Sequence, residues 1–212
     1  MKAGEFTGEI SIMGCLKNIL KAIILVLAVI GFISIGGKDY FIKTWNDFMN
    51  PPHDVMLERA KKVADFSQVG DEFEIDKAAS ALGYNGVLAE HKASGQKMVV
   101  VDSGVKPLLT PEDFAEGKVE EKLQDLSEKF KYSVVNVKDL KILKQGKIKT
   151  FGQNAPYVKF SATISKIPGG EVEGIISSVK TESGKTRVVL SANEKDKYSQ
   201  IVAQDFFKNV HE

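Results

Sequence analysis

The 212 residues contain 29 basic and 28 acidic side chains, and setting aside the first fifty leaves 24 of each, so the part that can fold as a globule is formally neutral. Neutrality argues against a nucleic-acid binder, whose affinity rests on basic side chains that displace counterions from phosphates. A single cysteine, Cys15, excludes an intrachain disulfide and any multi-cysteine metal site.

The most distinctive segment comes first. Residues 22–35 are almost wholly Ile, Leu, Val, Ala and Phe, with nothing polar before Ser34. A spanning helix needs roughly 20 apolar residues; counting back through Ile19 and Leu20, with Lys21 snorkelling to the headgroups, residues 19–37 reach that length. The sequence therefore predicts a short tail over 1–18, a transmembrane anchor or uncleaved signal over 19–37, and a juxtamembrane linker over 38–52. Cleavage after Gly36 is the alternative, and would give a secreted product. Lys2, Lys17 and Lys21 precede the span and Lys38 and Lys43 follow it, which places the N-terminus in the cytoplasm and the following domain outside. Cys15 lies before the apolar run, whereas a lipoprotein cysteine follows it, and Asn18 stands where a myristoylation signal starting at Met13 needs Ser or Thr. In the linker, Tyr40, Phe41, Trp45 and Phe48 suit a membrane interface.

Pro51 and Pro52 mark the start of one domain, residues 53–212. Asp54 is positioned to cap a helix with Met56, Ala60, Val63 and Phe66 at helical spacing, running toward Gly70. In "FEIDKAASALG" Phe73 and Ile75 alternate as in a strand, but Asp76 and Gly83 frame a short helix, which is the reading preferred. "GVLAEHKASGQKMVVVD" predicts a hairpin turning near Gly95, its second strand apolar throughout Met98–Val101 and so covered on both faces. Thr110-Pro111-Glu112-Asp113 is a helix start, followed by the stripe Val119, Leu123, Leu126 and Phe130, with Gly117 as a break near the beginning. Residues 138–151 predict a hairpin turning at Gln145-Gly146. Val158, Phe160, Ala162 and Ile164 alternate as a half-buried strand, and Pro168-Gly169-Gly170 leads into strands at 175–179 and 188–190 across Ser183-Gly184. A last helix from about Asp196 carries Tyr198, Val202, Phe206 and Val210 on one face.

The fold class is α+β, a mainly antiparallel sheet with flanking amphipathic helices, preceded by one N-terminal transmembrane helix. From "YVKFSATI" through "TRVVLSANEKDKYSQIVAQDFFKNV" the chain resembles the end of the PsbP-like α/β/α sandwich family, where strands in a meander finish in an amphipathic helix with a paired Phe. By element order the resemblance covers residues 84–210. It implies a non-catalytic accessory or binding role and assigns no functional residue.

Chemistry-bearing motifs are few. "VVVDSGV" places Asp102 as in the active-site loop of aspartic proteases, but that chemistry needs two carboxylates sharing a proton, and Asp-Ser-Gly is also good turn chemistry. His53, His91 and His211 lack ligand spacing, and no Gly-rich phosphate loop occurs, so neither metal nor cofactor is expected. "VKDLKILKQGKIKT" gathers Lys138, Lys141, Lys144, Lys147 and Lys149; Lys141, Lys144 and Lys147 are the candidate binding residues, for anionic lipid or acidic envelope polymer. The plain alternative is a sheet edge kept from aggregating by lysine. The expected function is a membrane-anchored, extracytoplasmic binding or accessory domain without catalysis; the residues do not identify its ligand, and such an anion or a protein partner are the candidates. An aspartic-type hydrolase using Asp102, or the same domain tethered on the cytoplasmic face, are the alternatives.

Overall fold

The computed structural model describes residues 52–81, 84–103, 107–129, 137–164 and 170–212. The expected anchor, Cys15 and the aromatic linker lie outside the described residues. Among those described, no helix is long and apolar enough to cross a membrane.

Helix α1 (His53–Lys61) leads into β1 (Phe73–Ala81), β2 (Tyr84–His91) and β3 (Lys97–Ser103). Helices α2 (Pro111–Ala115) and α3 (Val119–Lys129) follow, then β4 (Val137–Thr150), β5 (Gln153–Ile164), β6 (Glu171–Lys180), β7 (Thr186–Glu194) and α4 (Gln200–Asn209). The strands form one seven-stranded sheet in the order β1-β2-β3-β7-β6-β5-β4, with every neighbour antiparallel. Two chain-local meanders, β1–β3 and β4–β7, are thus joined side by side through β3 and β7.

Alternation along the central strands sends apolar side chains to both faces. Val100 sits opposite Val189 on one face and Val101 opposite Val188 on the other. On the first face Met56 and Ala60 of α1 and Ala203, Phe206 and Phe207 of α4 close over Val87, Met98, Val100, Ile175 and Val189. The ring of Phe206 lies 5.2 Å from Phe73 and 6.3 Å from Phe66. On the second face Leu109, Phe114 of α2 and Val119 of α3 cover Leu88, Val99, Val101, Val158 and Ile176. Buried polar groups are spent on joining layers: the Gln96 amide donates to Ser191 Oγ (2.8 Å) and Ser199 O (2.9 Å) and accepts from Ser199 N–H (2.8 Å), fixing the residue that caps α4. Ser178 Oγ donates to Leu109 O at 2.8 Å, which holds the chain entering α2.

Several expected elements occur where expected: the hairpin through Gly95, the doubly buried β3, the break at Gly117 (φ 68°) and the closing hairpin through Gly184 (φ 80°). The first helix is shorter than read, ending at Lys61, and Asp54 lies in its first turn, with Pro52 at the cap position. The final helix begins after a 3-10 turn at Lys195–Lys197.

Two expectations are corrected. The segment preferred as a short helix is strand β1, paired with β2 along its length. A bulge at Asp76 shifts the register between Ile75 and Lys77, so the period-2 pattern breaks mid-strand while Ala78 and Ala79, good helix formers, are buried. Residues 138–151 are not a hairpin turning at Gln145-Gly146 but the single 14-residue strand β4. Gly146 lies opposite Tyr157, and a Cβ there would come within 2.9 Å of the Tyr157 ring, so this glycine makes room rather than a turn. The chain reverses instead at Phe151-Gly152, both at positive φ (49° and 72°) and flanked by the Thr150–Gln153 pair, the geometry of a two-residue hairpin. Phe151 tolerates that conformation because its ring is buried in the core and its N–H donates to Val210 O at 3.1 Å.

Two outcomes follow for stability. Phe206→Ala empties the centre of the first layer and is expected to cost about 3–5 kcal/mol, read from the denaturant midpoint. Burial pushes the Asp113 pKa up, but the Lys122 ammonium (2.6 Å) and the Thr110 N–H (2.8 Å) outweigh that and hold it below the usual carboxylate range. Its stabilisation is therefore complete above the unfolded-state pKa, about 3.9, and is lost as pH falls through the lower folded value. Asp113→Asn lowers stability at neutral pH and flattens that acid limb in a pH series of unfolding curves.

Candidate functional site

Asp102 closes β3 and Arg187 opens β7; antiparallel register sets them opposite each other. Both are 3% exposed, and Arg187 Nη1 pairs with Asp102 Oδ1. Arg187 Nε also donates to Val63 O at 2.9 Å, pinning the chain just after α1 to the sheet. Burial lowers the Arg187 pKa, opposed by the charges of Asp102 and of Glu212. Lys185 Nζ stands 4.0 Å from the other Asp102 oxygen, and the Glu212 side chain accepts from Ser183 N–H at 3.3 Å. Asp102 is thus a strand residue neutralised inside the fold, not the turn residue the sequence suggested. A carboxylate engaged this way is neither a shared-proton dyad member nor open to a substrate. Arg187 was missed, yet a signal existed: "VVVD" and "RVVL" are apolar runs with opposite charges at mirrored ends, as antiparallel partners require.

The histidines are dispersed. His53 starts α1, and His211 bridges through its backbone to Asp65. His91 Nδ1 lies 2.8 Å from Ser94 Oγ and 3.3 Å from Ser94 N, holding the β2–β3 turn closed. Among the described residues no group of three or more His, Cys, Asp or Glu is placed to hold a metal.

Lys141, Lys144 and Lys147 all lie on β4, the outer strand of the sheet, and all are exposed, as is Lys149. They are not brought to one face. Lys141 pairs in register with Ser161 and Lys144 with Lys159, on the side covered by α4, whereas Lys147 opposite Pro156 and Lys149 opposite Asn154 stand on the other. The bulge between Ile142 and Lys144 brings Lys141 to the same side as Lys144, and ordinary alternation along the strand puts Lys147 and Lys149 on the other. None of these four lysines pairs with an acid among the described residues, while Lys97, Lys118, Lys122, Lys195 and Lys197 each do. One basic residue beside the edge is committed: Lys159 pairs with Glu173 at 2.6 Å and lies 5.4 Å from the Tyr198 ring centre. The Tyr198 hydroxyl, its pKa pushed up by burial, has no hydrogen-bond partner among the described residues. The sequence gives no hint of this cluster, because its members are far apart in the chain.

No protein-family model matches the chain, and no curated protein matches it. Among solved structures it is similar to the solution structure of cyanobacterial PsbP (CyanoP) from Synechocystis sp. PCC 6803, with 12% identity over 68% of this chain and 94% of that one and a TM-score of 0.36. This weak likeness is to a protein of the family that the sequence also resembles. No residue or activity passes from that protein to this chain.

The Asp102–Arg187 pair supports a double-mutant test. Asp102→Leu alone leaves a buried guanidinium unpaired and is expected to lose about 3–5 kcal/mol, whereas Asp102→Leu combined with Arg187→Met recovers most of it. Urea unfolding of the three variants reads the coupling.

Proposed function

We propose that the chain is a single-pass membrane protein, N-terminus in the cytoplasm, that presents a non-catalytic binding or accessory domain outside. The observation that carries the non-catalytic reading is the engagement of Asp102. The one residue whose motif offers catalysis is buried against Arg187, joining β3 to β7, while Arg187 also holds the chain just after α1. The binding role is supported by the unpaired basic edge. Strand β4 has five lysines against the single Asp139 in a domain that is neutral as a whole, so its charge is segregated rather than balanced locally. The membrane tether is supported by the apolar length of residues 19–37 and by the lysines preceding it.

The lone thiol tests the topology. A membrane-impermeant maleimide is expected to label Cys15 of the full chain only after cells are opened, while protease added to intact cells or spheroplasts removes residues 53–212. Cleavage after Gly36 would instead leave a shorter, washable product that takes no label. A domain resistant to protease until lysis, with Cys15 labelled from outside, would reverse the orientation.

A further inference from the structure

We propose that the β4 edge of the sheet docks, edge-on, on anionic lipid headgroups of the bilayer in which the chain is anchored. The proposal rests on the membrane-tether reading above and names the ligand of the basic edge. Its first support is the arrangement of the charges. Lys141 and Lys144 project from one side of the sheet and Lys147 and Lys149 from the other, all exposed and none paired with an acid among the described residues. A small anion in a pocket would meet two of them at most. A broad anionic surface reached with the sheet standing on its edge meets all of them at once. The short range of such attraction, a Debye length of about 8 Å in physiological salt, makes that orientation necessary.

The second support is Leu143. It is the extra residue of the bulge between Ile142 and Lys144, and it is 49% exposed at the outermost strand with lysines on both sides. An apolar side chain flanked by ammonium groups is the composition that enters a headgroup layer while the charges stay at its surface. The third support is reach. Residues 38–52 can extend to about 50 Å at roughly 3.3–3.6 Å per residue. Seven strands at a spacing of about 4.8 Å set the far edge about 29 Å from the first. The tether is long enough for the domain to turn β4 toward the membrane, and it keeps the bilayer at high effective concentration.

Full-length protein reconstituted in nanodiscs, either of phosphatidylcholine alone or with about a quarter phosphatidylglycerol, reads both steps by amide hydrogen exchange. Amides of residues 141–149 are expected to slow severalfold in the anionic discs only, and to return to the zwitterionic rate in high salt and in Lys141→Glu/Lys144→Glu/Lys147→Glu. Leu143→Ser is expected to weaken the slowing without removing its salt dependence. Unchanged exchange across residues 200–209 confirms that the variants, all at exposed positions, remain folded.

Equal rates at 141–149 in both discs, with residues 19–37 protected, would overturn the docking while leaving the tether intact. Unprotected residues 19–37 would overturn the tether and the docking with it. Slowing by added polyglutamate but not by anionic discs would assign the edge to an acidic polymer and overturn the lipid proposal.

Discussion

Strands β3, β6 and β7 carry apolar side chains on both faces, and water must be kept from both. A two-layer packing would leave one row of Val, Ile and Met exposed, at a cost of about 1.5–3 kcal/mol for each large side chain. The rest of the architecture answers that demand. α1 and α4 close one face and α2 and α3 the other, and the segments that are neither helix nor strand are held by polar groups whose partners lie in another layer. Gln96 secures the start of α4, Ser178 the approach to α2, and Arg187 the exit from α1. Ser178 and Arg187 come from the sheet and Gln96 from the turn that leads into β3, and each ends on a backbone group outside the sheet, so the layers are fixed in position as well as pressed together.

How much of this was readable from the residues depended on whether the signal was local. The apolar run Met98–Val101 reads as a doubly covered strand because it is short, rich in valine and bounded by the turn at Gly95 and by Asp102. The helix start at Thr110 and the breaks at Gly95, Gly117 and Gly184 are likewise written in adjacent residues. Both misread strands carry bulges. At Asp76 the bulge reverses which face the following residues occupy, and a strand pattern seen through that reversal reads as a helix. In β4, bulges around Leu140 and Leu143, together with a glycine that serves the Tyr157 ring, imitate a turn in the middle of a continuous strand. The pairing of Asp102 with Arg187 and the gathering of Lys159, Glu173 and Tyr198 depend on strand register between distant segments, so motif reading finds the residues without their partners.

The two ionic features play opposite parts. Asp102 and Arg187 are removed from water and neutralise each other, which makes them part of the scaffold. The lysines of β4 stay in water and are left uncompensated, on a strand whose bulges already discourage pairing with another sheet. A protective edge and a basic docking edge are compatible, because the charge that repels a second copy of the same strand attracts an anionic surface.

The β3–β7 seam also bears on how the chain is made. Each meander closes through neighbouring turns, but the seam joins segments such as Gln96 and Ser191 that are 95 residues apart. Non-local strand pairing of this kind slows folding. During synthesis the first meander emerges with β3 as an open edge, apolar on both sides, and stays so until β7 has left the ribosome. At about 5–20 residues per second that interval is several seconds, long enough for the nascent strand to meet other chains. The lysines that guard β4 are of no help there, since the vulnerable edge is one that the finished sheet no longer has.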